Sequence, residues 1–245
     1  MENALLIGLS RQIALQRQMD VVANNLANIN TTGFRAEKIM FAETQMPLAN
    51  RNNDFRYVDP PLAFTQDWAT MHDLAPGAIV QTGNPLDVAL QGDGFLAVQT
   101  PGGERWTRSG ALQIDATGTL VDLDGNPVLG ENGEIRFGPD ETDITIAPDG
   151  SVTTSDGPKG KLRLVAFANP QALVREGDNL FSGGSPVEAA NTRVLQGAIE
   201  RSNVSGVAEM TEMIRVSRAY ETLAGLMQQQ DETMRSAIQQ LGNLA

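Results

Sequence analysis

An apolar repeat at the C-terminal end most narrows what this chain can fold into. From Met213 almost to the last residue, apolar side chains recur at alternating intervals of three and four. Such spacing is the seam of a heptad repeat, and it predicts one helix from about Val207 to Leu244. At ~1.5 Å per residue that helix would be roughly 55 Å long, and Asn203 or Ser205 can cap its start. The seam positions are Met213, Val216, Tyr220, Leu223, Met227, Gln230, Met234, Ala237, Leu241 and Leu244.

The N-terminal end carries a seam of the same kind. Residues 3–29 contain no Pro and a single Gly, Gly8, and their apolar side chains follow intervals of four and three. This pattern predicts a second helix, and Gly33 suits the left-handed stop that would follow it. The seam positions here are Leu15, Met19, Val22, Leu26 and Ile29.

Each terminal helix needs a partner, because a narrow seam buries only one stripe of its surface. The simplest partner is the other terminal helix, which would give a coiled-coil-like α domain. Such a pair still leaves apolar flanks for neighbouring molecules to cover. Those flanks include Leu9, Ile13, Ile214, Leu226 and Ile238. The alternative is two ordinary amphipathic helices that pack on a globular core.

The middle of the chain changes to a period of two. From about Ile79 to Val194, short β-prone runs alternate with Gly-, Asp- and Asn-rich turns about every 10 residues, which predicts an antiparallel all-β domain, either a sandwich or an irregular barrel. The sequence therefore predicts an α+β fold. We expect an N-terminal axial helix and signature loop (1–41), an extended linker (42–75), a central β-rich domain (76–194) and a C-terminal axial helix (195–245).

Charge is concentrated in the middle of the chain. The whole chain carries a net charge of −12, yet residues 1–40 and 200–245 together sum to −1. Near-neutral ends can pack closely against other copies, whereas an acidic middle suits a solvated surface. No Lys/Arg cluster favours nucleic acid, and no segment reads as a secretory signal or membrane span. The chain has no Cys, which excludes disulfides and thiolate metal sites.

No motif predicts catalysis, a cofactor or a metal. The run 92–97 fits a loose dinucleotide pattern, but β-type residues follow it, so it reads as a hairpin turn. The run 122–126 lacks the Gly and Glu spacing of a calcium loop and also reads as a turn. His72 is the only histidine and lies in the predicted linker, where a solvated or hydrogen-bonded role is expected.

Asparagines cluster where the first helix should end. Four of them lie in the seven residues 24–30, and Asn is a poor helix former. One interpretation is simple fraying into a loop. The other is that their amides bond backbone groups across an assembled interface.

Four segments of this sequence resemble the flagellar axial proteins, the family of rod, hook and hook-associated subunits. Residues 23–35 are similar to the N-terminal signature of that family, and residues 197–204 with the long helix after them to its C-terminal signature. Residues 85–95 and 105–112 resemble the middle domain that rod and hook proteins share. Within the family, the chain looks most like the proximal-rod type, and the distal-rod type is the close alternative. A short hook-type subunit is a further alternative.

The resemblance implies a structural subunit and not an enzyme. Its terminal helices would line a central channel, fold fully on assembly, and form a helical tube with other rod proteins and with further copies of the chain. The tube would transmit torque and serve as an export channel in the basal body, where the rod crosses the periplasm, and the subunit would leave through the flagellar type III export apparatus without a cleavable signal. No nucleic acid, small-molecule substrate or direct membrane insertion is expected. A ligand-binding or enzymatic β domain with coiled-coil oligomerisation ends is the alternative from another class.

The residues expected at the assembly interface come from the two seams and the two terminal signatures. They are Leu15, Met19, Val22, Asn24, Asn25, Leu26, Asn28, Ile29, Gly33, Phe34, Ser202, Asn203, Val204, Met213, Val216, Tyr220, Leu223, Met227, Met234 and Leu241.

Overall fold

The computed structural model describes residues 2–45 and 63–242, and it has an α+β fold. Helix α1 spans Glu2–Ala27 and helix α2 spans Gly206–Gly242, so both predicted terminal helices are present. One 3-10 turn lies at Pro170–Ala172. The seam position Leu244 lies outside the described residues. Among the described helices, none combines the length and apolar character needed to cross a bilayer.

The rest of the regular structure is antiparallel β. The strands are β1 (Glu37–Gln45), β2 (Ala63–His72), β3 (Ile79–Gln81), β4 (Val88–Gln91), β5 (Phe95–Thr100), β6 (Gly103–Thr107), β7 (Gln113–Ile114), β8 (Leu120–Val121), β9 (Leu129–Gly130), β10 (Gly133–Glu134), β11 (Thr145–Ile146), β12 (Ser151–Thr154), β13 (Gly157–Lys161), β14 (Leu164–Ala166), β15 (Val174–Glu176), β16 (Leu180–Ser182), β17 (Val187–Glu188), β18 (Arg193–Gln196) and β19 (Ala198–Glu200).

The chain divides into two compact units. The helix unit comprises residues 1–27, 37–73 and 205–245, and the β unit comprises residues 28–36 and 74–204. The helix unit thus contains α1, β1, β2 and α2. The β unit contains all the remaining strands and the loop between α1 and β1.

The two helices of the helix unit run antiparallel. The Gln12 Nε2 donates to the Tyr220 hydroxyl at 2.7 Å, and the Gln18 Nε2 donates to Glu212 Oε1 at 2.7 Å. Moving forward along α1 from Gln12 to Gln18 therefore corresponds to moving backward along α2 from Tyr220 to Glu212. Near Gly8, the Met227 sulfur lies 3.3 Å from where a Cβ would be, so the small residue lets the helices approach closely.

Strands β1 and β2 form a hairpin where the sequence analysis expects an extended linker at 42–75. Nine residue pairs are in antiparallel register, from Glu37 opposite His72 to Gln45 opposite Ala63. A bulge between Met40 and Phe41 shifts the register. Because a bulge interrupts the two-residue period, this strand lacks the alternation by which a strand is recognised in a sequence.

The β unit is organised around a six-stranded antiparallel sheet of order β15-β16-β6-β5-β14-β17. Its central strand β5 contributes to two apolar clusters, because alternate side chains point to opposite faces. Leu96 and Val98 belong to the larger cluster, while Phe95 and Ala97 belong to the smaller one. Both faces of this sheet are therefore covered.

Two turns that the sequence analysis reads as hairpins have different outcomes. Strand β4 pairs with β18 and not with β5, so the turn at 92–94 links two sheets. The hairpin interpretation is wrong there, because local turn chemistry does not specify which strands pair. At 122–126 a turn is present, and Asp122 Oδ1 accepts from the backbone N–H groups of Asp124 and Asn126.

Candidate assembly surfaces

The predicted seam residues lie on the least exposed face of each helix. In the helix unit, Leu15, Val22 and Val216 are buried. Most of the remaining seam residues are half-buried: Met19, Leu26, Met213, Tyr220, Leu223, Met227, Gln230 and Met234. Ala237 is exposed, so the seam of α2 is not covered at that position. The side chain of Leu241 lies outside those described. Ile29 is not on the helix, because α1 ends at Ala27, where the run of asparagines lowers helix propensity.

Large apolar side chains remain exposed on the helices. Four of the five predicted flank residues are about half-exposed, and the side chain of the fifth, Ile238, lies outside those described. On α2, among the described side chains, Val216 alone is buried. These helices therefore expose several large apolar side chains to solvent, which is typical of a docking surface. The exposed positions are Leu6, Leu9, Ile13, Val207, Met210, Ile214 and Leu226.

Asn25 lies at the end of α1 and is only 2% exposed. Its Nδ2 donates to the Glu37 carbonyl at 2.8 Å, and its Oδ1 accepts from the Glu37 N–H at 2.9 Å. This one amide therefore satisfies both backbone groups of the residue that begins β1. Its bonds are made within the chain, an arrangement that neither sequence interpretation of the asparagine cluster anticipates. Asn24 is exposed, and the Asn28 Oδ1 accepts from the Thr31 hydroxyl in the loop of the β unit.

Gly33 packs against the middle segment in the β unit. Its N–H donates to the Glu200 carbonyl at 2.7 Å, and its φ is +67°. A Cβ at this position would lie 2.4 Å from the carbonyl carbon and oxygen of Arg108. Only glycine combines the left-handed backbone with this close approach. The predicted left-handed conformation is present, and the close backbone approach was not predicted.

A buried ionic triad lies beside Gly33. Glu200 accepts from Arg35 Nη2 at 2.8 Å through Oε1 and lies 3.1 Å from Arg108 Nη2 through Oε2. The backbone N–H of Gly77 also donates to Glu200 Oε1 at 2.8 Å. All three charged side chains are at most 4% exposed. Burial lowers the pKa of the Arg108 guanidinium, and the Glu200 carboxylate opposes that shift.

The guanidinium groups of the triad also join backbone segments. Arg35 donates to the Ala75 carbonyl, and Arg108 donates to the carbonyls of Gly94 and Leu90. Each arginine therefore neutralises the carboxylate and satisfies backbone acceptors that would otherwise be buried without a partner.

Asn203 and Phe34 complete the cluster. The Asn203 Oδ1 accepts from the Ala36 N–H at 2.7 Å, and its Nδ2 donates to the Ala75 carbonyl at 3.0 Å. The Asn203 amide is thus bonded inside the β unit and does not cap α2. Phe34 is buried, and the Arg175 guanidinium lies 4.2 Å from the centre of its ring, a cation–π contact. Ser202 and Val204 are half-buried, and the Ser202 hydroxyl accepts from the Val204 N–H at 3.2 Å.

We call this arrangement the signature cluster: Gly33, Phe34, Arg35, Arg108, Arg175, Glu200 and Asn203. It brings together residues from the start, middle and end of the chain. Gly33, Phe34 and Asn203, which are predicted from the sequence to lie at an assembly interface, contact other parts of the β unit. The sequence analysis does not identify Arg35, Arg108, Arg175 or Glu200. The one sequence feature that could indicate their burial is that each is a charged residue next to apolar or small residues.

Three family models match segments at the start, middle and end of the chain. A family model described as "Flagella basal body rod protein" matches residues 5–35. One described as "Flagellar hook protein FlgE/F/G D1 domain" matches residues 89–154. A third, "Flagellar basal body rod FlgEFG protein C-terminal", matches residues 195–240.

Full-length relatives carry the same names. The chain is 37% identical to the flagellar basal-body rod protein FlgF of Caulobacter vibrioides over 100% of both chains. It is 35% identical to FlgF of Escherichia coli, over 90% of this chain and 91% of the relative. It is 34% identical to the flagellar basal-body rod protein FlgG of Agrobacterium fabrum, over 94% and 96% of the two chains. Because these matches extend from the first helix to the last, this chain belongs to the flagellar basal-body rod protein family, whose members are structural proteins and not enzymes.

Proposed function

We propose that this chain is a proximal-rod subunit that polymerises with other rod proteins and further copies of itself into a helical tube. The tube would transmit torque across the periplasm and conduct exported subunits, and the chain itself would leave the cytoplasm through the flagellar type III apparatus. The observation that carries this proposal is the surface of the helix unit. Its two terminal helices pack antiparallel and still expose a set of large aliphatic side chains.

Burial of the exposed apolar side chains of the helices would provide free energy for assembly. The burial of Leu15, Val22 and Val216, together with the close approach of Met227 to Gly8, supports a coiled-coil-like pairing of the two seams. Burying a half-exposed aliphatic side chain contributes about 1 kcal/mol, so the exposed set offers several kcal/mol to a neighbour. The helix pair is therefore the part of the chain expected to gain order and stability on assembly. The seam side chains would act in assembly by keeping the two helices together.

The proximal position rests on the alignments. The FlgF relative from Caulobacter vibrioides aligns end to end at 37% identity. The FlgG relative from Agrobacterium fabrum is 34% identical and aligns over 94% of this chain. A distal-rod role is the second candidate, because these two identities are close.

Deletion of the gene in its host, followed by imaging of the isolated basal bodies, tests the proposal. We expect loss of swimming, restored by the wild-type gene, and rods that stop growing next to the membrane-embedded base. Complete rods without a hook connection, or growth arrest at the far end of the rod, would favour the distal position. Normal swimming and complete basal bodies in the deletion strain would refute the proposed function.

A further inference from the structure

The two terminal helices carry the same outward pattern of side chains. In each helix two large aliphatic residues are followed by Ile, Arg and an acidic residue, at intervals of three, four, four and three. The stripe of α1, called stripe 1, is Leu6, Leu9, Ile13, Arg17 and Asp20. The stripe of α2, called stripe 2, is Val207, Met210, Ile214, Arg218 and Glu221. Each residue of stripe 2 lies 201 positions after its counterpart in stripe 1, so the two helices present the same order of side chains on their outer faces.

The seam residues of the two helices are related by the same offset of 201 positions, and this relation gives the positions of the stripes on the helix pair. The seam residue Leu15 corresponds to Val216, and these two buried residues lie midway between the two interhelical hydrogen bonds. In an antiparallel pair, this correspondence makes an approximate two-fold axis pass near them. At about 100° per residue, each stripe lies on the side of its helix opposite the seam. The two stripes therefore face away from each other, and their apolar parts lie towards opposite ends of the helix pair.

The apolar parts of both stripes are open to solvent. Their six aliphatic side chains are between 47% and 79% exposed. One stripe packed against another would hide only several hundred Å², which is well below the roughly 1,000 Å² of a stable interface. A single contact of this kind is too small to hold a stable dimer in dilute solution and forms appreciably only at high concentration. It suits a polymer, in which every molecule uses both stripes at once.

We propose that stripe 1 of one copy packs against stripe 2 of the next copy, an inference that rests on the proposed function. A tube that grows from one end keeps all its subunits in one orientation, so α1 of one copy and α2 of its neighbour run antiparallel. Leu6 then lies opposite Ile214, and Ile13 lies opposite Val207. Joining unlike surfaces in this way gives an open-ended filament when the rotation from one copy to the next does not close a ring.

The charged ends of the stripes favour this pairing over the pairing of like helices. In the antiparallel register, the Arg and acidic residues of each stripe fall outside the apolar overlap. A contact between α1 of two copies in the same orientation would place Arg17 opposite Arg17 and Asp20 opposite Asp20, and like charges that face each other are destabilising. Relative to the contacts inside one chain, the register shifts neighbouring copies by about 11 residues, or ~16 Å along the helices.

The absence of native cysteine allows a direct test in the purified full-length chain. Leu9→Cys and Met210→Cys place one thiol at the centre of stripe 1 and of stripe 2. The two variants are mixed in equal amounts at high concentration and oxidised. Random collision gives about one half heterodimer and one quarter of each homodimer, whereas the proposed contact brings unlike stripes together. We expect heterodimer at about fivefold or more over the combined homodimers, because oxidation traps thiols held at disulfide distance.

Leu123→Cys provides the matched control. Leu123 is an exposed aliphatic residue of the β unit, so its thiol is equally accessible but lies outside both stripes. Mixed with Leu9→Cys, it should give the random distribution. Circular dichroism of each variant checks that the helices are intact, and any altered variant is replaced by Leu6→Cys or Ile214→Cys, which also face each other in the register.

The outcomes separate this inference from the proposed function. A random distribution with Met210→Cys, or preferred homodimers of either variant, would overturn the stripe pairing. Those results would leave the rod assignment intact if the deletion strain is still non-motile. Preferred heterodimers in a chain whose deletion leaves swimming normal would support the pairing and refute the rod function.

Discussion

Replacing Glu200 with Gln should destabilise the β unit strongly, although the side chain keeps its shape. The carboxylate lies between two guanidinium groups at 2.8 and 3.1 Å, and it is 1% exposed. Gln removes the buried carboxylate that pairs with both Arg35 and Arg108, and Asp93 is then the acidic group that still acts on Arg108. Loss of one partner from a buried ion pair costs about 3–5 kcal/mol. That is a large part of the total stability of a domain, which is about 5–15 kcal/mol.

The cost translates into a measurable shift of Tm. The β unit has about 140 residues, and at ~2.1 cal/mol/K per residue its unfolding entropy is about 0.3 kcal/mol/K. A loss of 3–5 kcal/mol should therefore lower its Tm by about 10–17 °C. Thermal unfolding of the purified chain in a Trp68→Phe background, followed by near-ultraviolet circular dichroism, measures this transition, because Trp106 is then the one tryptophan in the sequence. Trp106 is buried in the smaller apolar cluster of the same unit.

Glu176→Gln is the control for this prediction. Glu176 forms a comparably short ion pair, 2.6 Å from Arg105 Nε, but its side chain is 46% exposed. Exposed pairs contribute about 0–1 kcal/mol, so this variant should shift the Tm by no more than about 3 °C. Equal shifts for Glu200→Gln and Glu176→Gln would refute the reasoning, because burial would then make no difference to the energy of the pair.

Two further substitutions test other parts of the β unit. Gly33→Ala should lower the free energy of unfolding in denaturant by at least 2–3 kcal/mol, because its Cβ would lie 2.4 Å from the Arg108 carbonyl group. The control is Gly125→Ala, where φ is also positive but no atom lies within 4 Å, and its cost should be at most about half as large. Similar costs for both variants would contradict the close approach. Glu141→Gln should flatten the acid side of the curve of unfolding free energy against pH. The hydrogen bond from Lys159 holds the pKa of Glu141 below its ordinary value, so the stabilisation by this carboxylate is present above the ordinary pKa and is lost as the pH falls towards the folded-state pKa. An unchanged slope below the ordinary carboxyl pKa would argue against this ion pair.

The sequence predicts the helices best because their energetics are periodic. A seam such as Leu15, Met19 and Val22 is visible in one dimension, since the spacing itself places the side chains on one face. The central strands are visible as short β-prone runs between turn residues, although β4 and β5 are buried on both faces and do not alternate in burial. The β1–β2 hairpin is not, because its register is shifted between Met40 and Phe41 and backbone pairing carries no side-chain signal.

The signature cluster shows a different limit of sequence reasoning. Arg35, Arg108 and Glu200 are separated by tens of residues, and a charged residue in a sequence is on the surface in most cases. Their burial becomes evident only when three segments are brought together. Asn25 illustrates the same point, since its partner Glu37 follows after a loop whose path no local pattern specifies.

The terminal signature segments and the outward stripes have different roles: the first stabilise the folded chain, and the second are free to contact neighbouring copies. Gly33, Arg35 and Asn203 lie within the terminal signature segments, yet the contacts described above use their polar and backbone groups inside the chain. Residues occupied in this way have little left to offer a neighbour. The outward stripes need only aliphatic side chains at the right spacing, so Leu6 or Met210 could be exchanged for another aliphatic residue at small cost. We therefore expect substitutions in the signature cluster to lower the stability of the β unit, and charged substitutions in the stripes to leave that stability unchanged and to impair assembly.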